Sequence, residues 1–186
     1  MTLILASGSP RRSQILTKHK IPFEVHKSKA EEITQESAYK TVTMNAKLKG
    51  DEVAERFPKR WVLAADTVVS YEDHILEKPV DLNDARRMLG MLSGEKHQVF
   101  TAAVLINKEK AICHEWVMCS DVTMKELSED LMDRYFEVCH PLDKAGAYNI
   151  EEYGDWLVAD VKGSFENVMG LDGASVKQVL EKFELI

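Results

Sequence analysis

The chain has 186 residues, 45% of them hydrophobic, which is enough for one substantial core, and a single domain over 1–186 is the expectation. A formal net charge of −7, with 24 basic residues scattered rather than gathered into tracts, argues against a general nucleic-acid binder. No apolar run approaches the ~20 residues of a membrane span, and the amino terminus lacks the charged region, apolar stretch and cleavage site of a signal peptide, so the cytoplasm is the default expectation.

Leu3 to Ala6 reads as a short apolar strand. It runs into Ala6-Ser7-Gly8-Ser9-Pro10-Arg11-Arg12, where Ser9 can cap a helix and Pro10 fits its first position. The helix continues to Lys18, with Ile15 and Leu16 as its apolar side. A helix start carries free N–H groups and partial positive charge, so Arg11 and Arg12 there call for a negative group between them, and phosphate is the obvious candidate. Ser7 and Ser9 supply hydroxyls and Gly8 allows close approach of the backbone. An ordinary capped helix with two solvated arginines is the competing reading.

Phe23 to Val25 reads as a second strand. Between Ser37 and Phe57 the apolar positions Val42, Ala46, Val53 and Phe57 predict one long amphipathic helix, ended by Pro58. Trp61 to Ala65 is a buried strand that Asp66 terminates, and Val68 to Tyr71, a turn at Glu72-Asp73-His74, and Ile75-Leu76 resemble a hairpin leading to Lys78-Pro79. Asp81 or Asn83 caps a helix through Leu92, which Ser93-Gly94 stops. Gln98 to Ile106 and Ile112 to Met124 should pair as a long antiparallel hairpin turning at Asn107 to Lys110. Ser128 caps a helix to about Val138, Trp156 to Val161 is a strand, and Ser175 to Phe183 closes the chain as a helix. The mixed order favours an α/β or α+β mixed sheet over a regular doubly wound one.

No P-loop pattern and no GxGxxG fingerprint occurs. Asp66 ends a core strand, where α/β sheets place ligand crevices, and a charge there needs a partner or a metal. Glu31 and Glu32 add an acidic pair suited to a hard divalent cation. Lys49, Lys78 and Lys144 complete a set of cations, each of which taken singly also reads as surface lysine. The three cysteines, Cys113, Cys119 and Cys139, lack disulfide or zinc spacing and read as buried packing. Of the six histidines only His97 draws attention.

In chain order, several stretches match one known pattern. They are Ala6 to Arg12; Glu31-Glu32; Ala46-Lys47-Leu48-Lys49; Ala64 to Val69; Glu77-Lys78-Pro79; Leu92-Ser93-Gly94; His97 to Thr101; Asp143 to Tyr148; and Asn167 to Leu171. Through them the chain resembles the Maf family of nucleoside triphosphate pyrophosphatases along nearly its whole length. The resemblance implies an ITPase-like fold, a mixed twisted sheet between two helical lobes with a central cleft. It also implies hydrolysis of a nucleoside triphosphate to monophosphate and pyrophosphate, a divalent cation (Mg2+ or Mn2+), and a homodimer. By position it assigns Ser7, Ser9, Arg11, Arg12, Thr67, Thr101, Lys144 and Glu151 to the substrate, Glu32 and Asp66 to the metal or the attacking water, and Lys49 and Lys78 to charge stabilisation. Asp66 is the expected general base.

Thr67-Val68-Val69 and Lys144 to Tyr148 are similar to the branch acting on dTTP and UTP; the branch acting on 7-methyl-GTP differs at both. Three positions depart from that branch: Glu151 in place of glutamine, Asp172 in place of proline, and Glu31 in place of aspartate. An ionised glutamate only accepts hydrogen bonds, whereas glutamine also donates, so Glu151 is expected to shift base preference or lower activity. A nucleotide-binding regulatory protein that has kept the site and lost turnover is the alternative reading.

Overall fold

The computed structural model describes residues 2–72 and 74–186, and the turn expected at Glu72-Asp73-His74 includes Asp73, outside them. Seven strands form one mixed sheet in the order β2-β1-β3-β5-β6-β7, with β4 paired to β3. In chain order the elements are β1 (Leu3–Leu5), α1 (Pro10–Lys18), β2 (Phe23–Val25), α2 (Ala38–Arg56), β3 (Val62–Tyr71), β4 (His74–Leu76), α3 (Leu82–Leu92) and β5 (Lys96–Asn107). They continue as β6 (Ile112–Met124), α4 (Glu129–Val138), α5 (Gly154–Leu157), β7 (Val158–Lys162), α6 (Phe165–Met169) and α7 (Gly173–Lys182). β1 pairs in parallel with both β2 and β3, Leu5 lying opposite Val25 and Leu63, whereas β3 with β4 and β6 with β7 are antiparallel. β5 and β6 are neighbours joined by a connection too short for a parallel crossover, which makes them the expected antiparallel hairpin.

The helix starts follow local cap chemistry. Ser37 accepts from the Lys40 N–H (3.3 Å), Asp81 from that of Asp84 (2.8 Å) and Ser128 from that of Leu131 (3.2 Å), each satisfying an otherwise orphaned donor. Asp81, not Asn83, is the cap of α3. The closing helix begins at Gly173 rather than Ser175, because Asp172 takes the cap position and accepts from the Ser175 N–H. Ser9 occupies the cap position of α1 but makes no side-chain cap bond, a correction to the expected role.

Two strand readings change. Asp66 does not end a strand: β3 runs unbroken through it, so the strands expected at Trp61 to Ala65 and Val68 to Tyr71 are one ten-residue strand. A carboxylate can sit inside a core strand only if it is compensated, and α2 supplies the compensation described below. Trp156 and Leu157 belong to the short helix α5, and β7 starts only at Val158. The cysteine reading is also corrected: Cys113 and Cys119 are exposed and only Cys139 is buried. On β6 the even-numbered positions 120, 122 and 124 face inward, so the odd positions that carry both cysteines share the outer face.

The chain forms two compact units. The first comprises the segments up to Thr67, Thr101–Met118 and Gly170–Ile186, and its core gathers Leu3, Ile4, Leu5, Leu16, Val42, Val53, Leu63, Leu105 and Leu180. The second comprises Val68–Phe100 and Cys119–Met169, with Leu89, Leu92, Val122, Tyr135, Tyr148 and Leu157 at its centre. In the first unit α2 lies so close to the sheet that a Cβ built on Gly50 would fall 2.8 Å from the Val104 Cγ1 and 2.9 Å from the Ile106 Cδ1. Gly50→Ala is therefore expected to destabilise the fold by about 1–3 kcal/mol through overpacking, despite alanine's better helix propensity. A lowered urea midpoint at unchanged m would show it; an unchanged or raised midpoint would contradict it.

Candidate active site

Two polar clusters lie within the first unit. One is built around Arg12, on the first turn of α1. Its Nε donates to the Gly170 carbonyl (2.9 Å), Nη1 to the Ser7 hydroxyl (3.0 Å) and Nη2 to the Thr67 hydroxyl (3.2 Å). Thr67 Oγ1 lies 2.9 Å from Thr101 Oγ1, which links β3 to β5 at the same place. Gly170 adopts φ +114°, a conformation that favours glycine, and this turns its carbonyl toward Arg12. Three of the five guanidinium N–H groups are thus spent on the protein, leaving two for a ligand. Burial lowers the pKa of Arg12 from its ordinary value, Asp66 and Glu32 oppose that shift, and Arg11 adds to it. Arg12 still remains a cation.

The second cluster centres on Asp66, buried in β3 at 5% exposure. Lys49, on α2, places Nζ 2.6 Å from Asp66 Oδ1 and 2.6 Å from Glu32 Oε1, so one ammonium bridges the two carboxylates. Asn45, one helical turn before Lys49, donates from Nδ2 to Asp66 Oδ2 (3.3 Å). Asp66 and Glu32 also act electrostatically on Arg12, which puts both clusters within reach of each other.

The structure therefore brings together Ser7, Arg12, Glu32, Lys49, Asp66, Thr67 and Thr101. Arg11 is half-buried beside Arg12, and Ser9 donates its backbone N–H to Ser7 Oγ (3.2 Å). Lys78, Lys144 and Glu151 belong to the second unit. Lys78 is exposed; Lys144 pairs with Asp143 and donates to the His140 carbonyl; Glu151 is exposed on the rim of a hollow of about 470 Å³ shared with Ile150, Val158 and Phe165. Asn45 is the site residue that the sequence reading missed. Its signal was there: it lies between Thr41 and Lys49 at intervals of four, a polar line on the side of α2 that also buries Val42 and Ala46.

Among the described residues no group of three or more His, Cys, Asp or Glu side chains is placed to hold a metal. The donors present still fit a hard divalent cation. Asp66 and Glu32 offer oxygens around one point, and Mg2+ typically takes one or two carboxylates with phosphate oxygens and water completing its shell.

The fold is similar to that of the Staphylococcus aureus Ham1 protein, with a TM-score of 0.55 over 99% of this chain and 100% of that one, at 13% sequence identity. That likeness defines a mixed α/β protein of the same fold class. The description "Maf-like protein" matches residues 2–183, and a dTTP/UTP pyrophosphatase of Bacillus cereus (strain G9842) is 40% identical over 185 residues, 98% of this chain and 96% of that protein. A dTTP/UTP pyrophosphatase of Bacillus cytotoxicus is 40% identical over 183 residues, 97% and 95% of the two chains. This chain belongs to the Maf family. No helix among the described residues is long and apolar enough to cross a membrane.

Proposed function

We propose that this chain is a nucleoside triphosphate pyrophosphatase, acting on dTTP, UTP and modified pyrimidine triphosphates in the cytoplasm and releasing the monophosphate and pyrophosphate. The observation that carries the reading is the pairing of Asp66 with Lys49 and Glu32 beside the Arg12, Ser7, Thr67 and Thr101 cluster, a carboxylate base next to an anion-binding set. The relatives' activity supports the choice of substrate.

In this reading the free N–H groups of Arg12 and the neighbouring hydroxyls hold phosphate oxygens, and Arg11 adds positive charge at the helix start. Asp66 accepts the proton of a water as its oxygen attacks the α-phosphorus, while the bond from that phosphorus to the pyrophosphate oxygen breaks. Lys49 bridges Asp66 and Glu32 and meets negative charge as it develops. Glu32 and Asp66 would hold the divalent cation, which when bound neutralises phosphate charge and eases deprotonation of water. Lys78 and Lys144 rest on the family resemblance alone as further cations for the phosphates.

Pyrophosphate release from a panel of canonical and modified nucleoside triphosphates, with Mg2+ or Mn2+ and a chelator control, tests the reading. Chelator-sensitive release favouring dTTP and UTP is expected; binding without release from any nucleotide would instead establish the regulatory alternative. Arg12→Ala is expected to raise KM about 10- to 100-fold, the equivalent of a lost charge-assisted contact of about 1.5–3 kcal/mol. An unchanged KM would remove Arg12 from the substrate site. Glu151→Gln is expected to change relative rates among bases, since it restores a donor at an exposed position. Identical relative rates across the panel would show that Glu151 does not read the base.

A further inference from the structure

Between β2 and α2 the chain from 26 to 36 has no helix or strand, and it carries Glu32. Its one large aliphatic side chain, Ile33, is 38% exposed, while the His26 ring packs against Phe57 at 4.5 Å. Four side chains of α2 hold its backbone: Arg56 donates to the Lys27 carbonyl (3.1 Å), Glu52 accepts from the Lys29 N–H (3.1 Å), Asn45 from the Ile33 N–H (2.9 Å) and Thr41 from the Gln35 N–H (2.9 Å). Positions 41, 45, 49 and 52 follow helical spacing and share one face, so this stretch of chain is laced along the same line that presents Lys49.

Asn45 differs from the other three ties. It is buried at 4% exposure, and its amide is used in three directions. Oδ1 accepts from the Ile33 N–H, Nδ2 donates back to the Ile33 carbonyl (3.0 Å), and the second Nδ2 proton points to Asp66 Oδ2. The orientation of the amide is fixed by these partners. Flipped, it would set N–H against N–H at Ile33 and oxygen against both the Ile33 carbonyl and the Asp66 carboxylate.

We propose that Asn45 is a positioning residue that couples the backbone next to Glu32 to the carboxylate of Asp66, so that both acids close on Lys49 in a fixed arrangement. The two-pronged grip on Ile33 sets where Glu32 leaves the backbone, and the third bond sets the rotation of the Asp66 carboxylate. Glu32 reaches Lys49 from a half-exposed position, its side chain 55% accessible against 7% for Asp66, so without this grip it is the partner free to swing away. Partners that orient liganding carboxylates typically matter 10- to 100-fold for metal affinity or activity.

The test compares wild type with Asn45→Leu, which keeps the branched heavy-atom shape and removes all three bonds, and with Thr41→Val, which frees the same backbone stretch at Gln35 without touching Asp66. Amide exchange over 30–36, steady-state kcat and KM, and Mn2+ affinity without nucleotide are read on each. For Asn45→Leu, exchange is expected to quicken about 10-fold and kcat and Mn2+ affinity to fall about 10-fold or more, with KM within a few-fold. Thr41→Val is expected to quicken exchange while kcat stays within about two-fold. Faster exchange with native kcat, a kcat loss with native exchange, or an equal kcat loss in Thr41→Val would each overturn the coupling. If Asn45→Leu does not fold, Asn45→Ser reads the same bonds at smaller volume. The kinetic arm rests on the hydrolase reading; should wild type hydrolyse nothing, exchange and Mn2+ affinity still decide. A wild type that also fails to bind Mn2+ would overturn the proposal.

Discussion

Asp66→Asn is expected to lower kcat about 10³-fold while the chain stays folded. Asparagine keeps the size of the side chain and can still accept from Lys49, but it cannot take a proton from water. It also turns a donor toward Asn45 Nδ2, where the carboxylate had accepted at 3.3 Å. Loss of the buried charge offsets part of that mismatch, because a carboxylate at 5% exposure carries a large desolvation cost. Lys49 keeps Glu32 as a partner at 2.6 Å, so its ammonium is not stranded. The effect should fall on kcat rather than KM, the signature of an interaction made in the transition state. Single-turnover pyrophosphate release beside a thermal melt separates the two quantities. A variant within ten-fold of the wild-type rate would take the base role away from Asp66.

What the sequence made legible is what short-range chemistry decides. The caps at Asp81 and Ser128, the apolar periodicity of α2, and the β5 to β6 hairpin depend on residues within a few positions of each other. The continuity of β3 does not. Asp66 looks like a terminator until Lys49, 17 residues earlier, is seen to lie against it. Cys113 and Cys119 share a face as their spacing of six requires, yet the spacing does not say which face is wet. Glu32, in its acidic pair, and Lys49 were readable as candidates by residue type, yet each read equally as a solvated surface group until the family resemblance assigned it a role. Asn45 could have been read from its place in the polar line of α2, but that needs the line to be recognised as facing inward, which only burial reveals.

The remaining large effect is on stability and concerns His97, in the second unit. Its Nε2 lies 2.8 Å from the Tyr148 hydroxyl, and the rings meet edge to face at 5.5 Å. Nδ1 has no hydrogen-bond partner among the described residues, and the residue is 2% exposed. Burial lowers the pKa of His97 from 6.5 to about 4, and burial pushes the Tyr148 phenol up, so both side chains are neutral at pH 7. Between those two histidine values the unfolded chain binds a proton that the folded one refuses, and stability falls as pH drops. The contribution is complete above about pH 6.5 and is lost progressively as pH falls toward 4, reaching about 3 kcal/mol at ~1.4 kcal/mol per unit. Between pH 7 and pH 5 the wild type should lose about 2 kcal/mol more than His97→Gln, which keeps a polar partner for Tyr148 but does not titrate there. Urea unfolding at pH 7, 6 and 5 measures the difference directly, and subtraction removes the carboxylates common to both chains. Parallel stability curves for the two proteins would mean that His97 accepts its proton in the folded state as readily as in the unfolded one.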